Sequence, residues 1–131
     1  MIVVDTNVVA YLLLDGPHTA QAEALLLAHP DWAAPPLWRS EWRNVLCGYL
    51  RRDQLDLARA LSLMQQAQDL VIRWEEPVPS DAVLRLAAGS GCSAYDCEFV
   101  AAAQQLGVPL VTADRALLQA FPDLAQPLTS L

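Results

Sequence analysis

The chain has 131 residues and no lysine. All eight basic residues are arginines, set against 15 Asp and Glu, and the formal net charge is −7. The missing lysine excludes a Walker A phosphate-binding loop and a Schiff-base enzyme. It also excludes a receiver domain that pairs a strand-end aspartate with a lysine. The shortage of positive charge counts against ordinary nucleic-acid binding, in which a basic stripe neutralises phosphates. Cysteines are few and odd in number: Cys47, Cys92 and Cys97 form no CxxC pair, and they read as reduced thiols. No positive region precedes the N-terminal apolar stretch, and Asp5 interrupts it, so no signal peptide is expected. No charge-free run is apolar enough over about 18 residues to span a bilayer. Together these absences lead to the expectation of a cytoplasmic protein without membrane attachment.

What is present is a core. Hydrophobic residues make up 54% of the chain, and Leu (23) and Ala (21) dominate it, which favours helix. The length suits one domain over residues 1–131. Ile2-Val3-Val4 reads as a buried strand ending at Asp5. Helices are expected at Asn7–Leu14, broken by Gly16-Pro17, and at His18–Ala28, ended by Pro30. Trp32–Ala34 reads as a short strand before Pro35-Pro36. Amphipathic helices follow at Leu37–Arg51 and Leu55–Leu70, then a strand at Val71–Trp74. Ser80–Ala88 reads as helix, followed by a Gly89/Gly91 loop. Ala94–Leu106 is a helix with Gly107 as its stop. Pro109–Thr112 reads as a strand, Arg115–Ala120 as a short helix, and the tail from Pro122 as a further edge strand. Short apolar strands alternating with longer helices predict an α/β fold: a three-layer α/β/α arrangement around a parallel sheet of about four or five short strands. Ligands of such sheets bind at the carboxyl ends of the strands, so acids that follow strands carry the functional question.

Four acids stand out, and each has a structural reading beside a functional one. Asp5 follows the first strand and Asp114 the last clear one, and either suits a helix N-cap. Asp96 lies three residues after Ser93, the spacing of a capping box. Glu41 lies on a helix whose apolar stripe is Trp38, Trp42, Val45, Leu46 and Tyr49. At about 100° per residue it falls roughly 85° from the stripe's centre, at the edge of the buried face. A solvated flank residue is the plainer account. Taken together, carboxylates at strand ends would repel and raise one another's pKa values unless a cation joined them. An all-oxygen ligand set suits Mg²⁺ or Mn²⁺.

The sequence resembles the PIN-domain nucleases, and within them the VapC-like ribonuclease toxins of toxin–antitoxin pairs. The matching stretches are Val3 to Val9, Pro36 to Leu46, Ser93 to Ala103 and Gly107 to Arg115, in order and at matching spacing over essentially the whole chain. The resemblance implies that Asp5, Glu41, Asp96 and Asp114 form an acidic quartet holding one or two Mg²⁺ or Mn²⁺ ions. It implies metal-assisted hydrolysis of RNA, with water activated for in-line attack and a 5′ phosphate left behind. Thr6 and Asn7 would support the turn at Asp5, with Asn7 also touching the site. Thr112 would orient Asp114 or reach solvent near the metal. The resemblance also implies a homodimer and a small antitoxin whose C-terminal segment lies in the acidic groove. Cys97 departs from the small residue, such as alanine, usual in the family.

Other residues leave their readings open. Arg39, Arg43, Arg51, Arg52 and Arg59 cluster between positions 39 and 59, as a solvated helix surface or as RNA-backbone contacts. Arg115, beside Asp114, is the better single candidate for a phosphate or partner contact, with Arg39 and Arg43 as further candidates. Trp38 and Trp42 read as core or interface packing ahead of base stacking. His18 and His29 show no ligand spacing. Two alternatives stand beside the toxin: a PIN nuclease in RNA processing without an antitoxin, and a non-catalytic scaffold. An aspartyl-phosphate phosphatase needs Asp two residues after the first one, and Asn7 stands there.

Overall fold

The computed structural model describes residues 1–129. Four short strands form one parallel sheet: β1 (Ile2–Val4), β2 (Trp32–Ala33), β3 (Leu110–Val111) and β4 (Ala125–Gln126). Their spatial order is β2-β1-β3-β4. Val3 pairs with Ala33 on one side and with Leu110 on the other. β1, β2 and β3 are buried throughout, as expected of strands covered on both faces. β4 realises the edge strand expected in the tail.

Among the described residues, seven α-helices flank the sheet: α1 (Thr6–Leu13), α2 (Thr19–Ala28), α3 (Leu37–Arg51), α4 (Leu57–Val71), α5 (Ser80–Ser90), α6 (Ala94–Leu106) and α7 (Arg115–Ala120). The arrangement is the three-layer α/β/α fold that the sequence pattern predicts. Chain order reverses beside β1, since β2 lies on one flank and β3, reached after four helices, on the other. The switch point therefore falls between β1 and β3.

Local sequence sets the boundaries. α4 begins after Asp56, whose carboxylate accepts from the Arg59 amide at 2.7 Å. α6 ends at Gly107 with φ +67°, a left-handed cap that suits a residue without Cβ. Two expectations need correction. Val71–Trp74 is not a strand: Val71 closes α4, and Ile72–Trp74 is a single 3₁₀ turn. Val71 continues the buried stripe Ala60, Leu63, Ala67 at helical spacing, so packing overrides its β-branched preference. The segment still reaches the sheet edge, where Glu75 makes one parallel bridge to Ala34. The Gly89/Gly91 loop is also shorter than expected. Gly89 lies inside α5, and Gly91 alone turns left-handed, at φ +75°.

Trp38, Trp42 and Leu46 are buried on one face of α3, which settles the two tryptophans as core. The Trp42 indole also donates to the Leu63 carbonyl of α4 at 3.4 Å. The three cysteines are free thiols. Among the described residues no helix is long and apolar enough to cross a membrane. Since α3 carries Glu41 as well as this apolar face, core packing fixes one wall of the site. Trp42→Ala is expected to destabilise the fold by about 3–5 kcal/mol, measured as a lowered urea midpoint.

Candidate active site

The carboxyl ends of β1 and β3, the N-terminus of α6 and the first half of α3 enclose a pocket of about 230 Å³. Asp5, Glu41, Asp96 and Asp114 all line it, with Thr6, Asn7, Asn44 and Val45. The four acids picked out in the sequence thus meet in one place.

Two threonine hydroxyls hold the carboxylates. Thr112, fully buried, donates to Asp5 Oδ2 at 2.9 Å and accepts from the Asp114 amide at 3.0 Å. It bridges the ends of β1 and β3, and its burial removes the expectation that it reaches solvent. Thr6 donates to Glu41 Oε1 at 2.7 Å. Its hydroxyl therefore orients the glutamate of α3, while its backbone acts on the Asp5 carboxyl in line with the expected support.

The capping readings divide. Asp5 occupies the N-cap position of α1 yet makes no side-chain cap bond; its carboxylate is turned to Thr112. Asp114 does cap α7, accepting from the Ala116 and Leu117 amides at 2.8 and 3.2 Å. Both bonds fall on Oδ1, and among the described residues none is made to Oδ2. Ser93 caps α6 by accepting from the Asp96 amide at 3.0 Å. The Asp96 carboxylate does not return the bond among the described residues, so only half a capping box forms.

Burial is the main force on the ionisation of Asp5, Glu41 and Asp96. It pushes the Asp5 carboxyl above its ordinary value of 3.8; the Thr112 bond opposes this, and the Asp96 charge adds to it. Burial raises Glu41 too, opposed by the Thr6 bond and reinforced by the charges of Asp5, Asp96 and Glu98. Asp96 is raised by burial and then by the Asp114 charge. No lysine or arginine lines the pocket to offset them.

Asn44 was not singled out in the sequence. It lines the pocket one turn beyond Glu41, and the i,i+3 spacing on α3 was the available signal. The three candidate arginines stand elsewhere. Arg39 pairs with Glu75 at 2.8 Å, where Trp38 Nε1 also donates. Arg43 is exposed and donates to the Arg39 carbonyl. Arg115 is exposed at the start of α7. None of them lines the pocket.

An all-oxygen donor set in which neighbouring charges raise the pKa values fits a hard divalent cation. Among the described residues, no group of three or more His, Cys, Asp or Glu is already arranged around one ion position. The fit therefore rests on the donor chemistry: carboxylates that line one pocket without a cationic side chain are a set that a divalent ion would offset.

In a parallel α/β domain, acids at the switch point of the sheet stand where such folds bind their ligands. Residues 2–122 match the PIN domain family, and the chain belongs to it. Among its relatives is Ribonuclease VapC3 of Pyrobaculum aerophilum, 30% identical over 135 residues, spanning 96% of this chain and 98% of that protein. The crystal structure of PAE2754 from the same organism superposes with a TM-score of 0.74 at 26% identity, covering 97% of this chain and 83% of that one. A toxin–antitoxin complex from Klebsiella pneumoniae shares the fold, with a TM-score of 0.71 at 16% identity over the whole of both chains.

The acids should leave opposite marks on stability. Raised carboxyl pKa values mean that the native state binds protons more tightly than the unfolded chain. Stability is then lost as pH rises through the folded pKa values and regained as pH falls towards the ordinary ones, 3.8 and 4.5. Metal-free Asp96→Asn is therefore expected to melt above wild type at neutral pH. The gap should close as pH approaches about 4. Asp114→Ala, which loses the α7 cap, should instead lose about 1 kcal/mol. Calorimetry of both variants in chelator across this pH range checks the two signs.

Proposed function

We propose that the protein is a metal-dependent endoribonuclease, the toxin of a toxin–antitoxin pair. The observation that carries this is the convergence of Asp5, Glu41, Asp96 and Asp114 on one pocket at the sheet's switch point. Its support is family membership and the relationship to Ribonuclease VapC3.

The four carboxylates would hold Mg²⁺ or Mn²⁺. Such an ion supplies a water of lowered pKa and charge neutralisation at a phosphodiester. The chain's own residues prepare for it. Thr6 keeps one Glu41 oxygen as a hydrogen-bond acceptor, and Thr112 does the same for Asp5. Asp114 spends Oδ1 on α7, which leaves Oδ2 for the ion or its water. Asn7 and Asn44, at the pocket rim, offer amides to the phosphate oxygens without adding charge. The antitoxin and a second copy of the chain would cover apolar side chains such as Leu57, Leu61 and Leu84, each about two-thirds exposed.

Purified protein with Mn²⁺ should cleave RNA, and excess chelator should stop it. Asp96→Asn should lower the rate by 100-fold or more, on the order of the loss of about 3 kcal/mol of transition-state stabilisation. Cleavage by this variant at the wild-type rate would sink the nuclease reading. The toxin role has its own check in the gene's neighbourhood. A short adjacent reading frame encoding a DNA-binding fold and a tail is expected there, and its absence would favour RNA processing.

A further inference from the structure

A second pocket of about 340 Å³ adjoins the acidic one, formed by α1, the turn into α2 and the middle of α3. Asn7 and Val45 line both, so the two are neighbours. Its character is different. Tyr11 of α1 and Tyr49 of α3 line it, along with His18 and Thr19. Tyr11 and His18 already lie against each other, ring centroids 4.5 Å apart. Arg52 lies over the Tyr49 ring, 4.9 Å from its centroid, and is not among the lining residues. The volume is near the lower end of the roughly 300–1,000 Å³ typical of small-ligand sites.

We propose that this pocket is a nucleobase subsite, holding the base of a nucleotide next to the phosphodiester in the acidic pocket. The inference rests on the ribonuclease reading above and adds where the substrate is gripped. Three features select a base. Aromatic rings form the wall, and every base has a face that stacks on them. Asp15 lines the pocket and no lysine or arginine does, which disfavours a phosphate there. Asn7 stands at the junction with an amide that both donates and accepts, as a base edge requires. Charge makes the same demand. A chain with no lysine, and with Arg39 tied to Glu75, gains little from phosphate neutralisation. Stacking supplies affinity without cations.

The test uses full-length Asp96→Asn protein, whose turnover is slowed, and short single-stranded RNAs with 2-aminopurine placed at each position in turn. One position should show strong fluorescence quenching on binding. Adding Tyr11→Leu, which keeps bulk and removes the ring, should weaken binding about tenfold, within the roughly 5- to 150-fold a stacked base is worth. Tyr11→Phe should restore it. An abasic site at the quenched position should erase the difference between Tyr11 and Leu. Tyr49→Leu repeats the test from α3 if thermal melting shows that Tyr11→Leu does not fold. Unchanged affinity, or a loss that persists with the abasic RNA, overturns the base subsite and leaves the pocket to a protein side chain. Quenching that depends on Tyr11 in a protein whose wild type cleaves no RNA upholds the subsite while the nuclease reading fails.

Discussion

One hydroxyl group ties the site together. Thr112 is buried at the end of the sheet, donates to Asp5 and accepts from the Asp114 amide, so it joins chain segments 107 residues apart. The constraint it answers is electrostatic. Four carboxylates share a pocket with no cationic side chain among its lining residues, and Asp5, Glu41 and Asp96 are each worse off for a neighbour's charge. A lysine or arginine could hold such a cluster, but it would also neutralise the charge that a metal ion needs. A hydroxyl donates a hydrogen bond of about 1.5–3 kcal/mol to a charged acceptor without changing the net charge. Thr6 plays the same part for Glu41. The fold keeps the acids together with neutral donors, and the electrostatic deficit stays in place.

Much of this was legible in the sequence, for identifiable reasons. Asp5 and Asp114 could be found because they follow apolar runs that only a buried strand explains. Glu41 was visible at the edge of a helical stripe, and the stripe itself, Trp38, Trp42 and Leu46, is buried as its period requires. Failures came where long-range contacts decide. Nothing local distinguishes Thr6 supporting its neighbour Asp5 from Thr6 reaching 35 residues to Glu41. Val71 has strand propensity but continues the buried face of α4. Arg39 looked available until Glu75, far along the chain, was seen to engage it. The aromatic pocket was illegible for the same reason: Tyr11 and Tyr49 line one pocket only because α1 packs on α3.

Structural and functional accounts of an acid turn out not to compete. Asp114 is a true N-cap and also lines the pocket, because a cap uses one carboxylate oxygen and leaves the other. Asp96 occupies the first turn of α6, where Ser93 takes its amide and leaves its carboxylate at the pocket. Asp5 sits where a cap belongs but turns its side chain to Thr112. A helix start delivers both an acid and the backbone turn that aims it, after a strand for Asp5 and Asp114 and after α5 for Asp96. That is why three of the four acids come from such places and only Glu41 from a helix interior.

The acidic charge of the chain takes on a different meaning in this light. Four of its 15 acids sit in one pocket whose chemistry calls for divalent cations. On the proposed nuclease reading, negative charge there would be a condition for binding the ion, and the ion in turn would be what a phosphodiester approaches. The remaining surface cannot supply the counterion-release affinity of a basic groove, since the arginines are few and Arg39 is already paired. Substrate recognition must then be concentrated near the reacting bond, in the ion and in uncharged contacts beside it. The asparagines at the rim and the tyrosines of the adjoining pocket are groups of that kind.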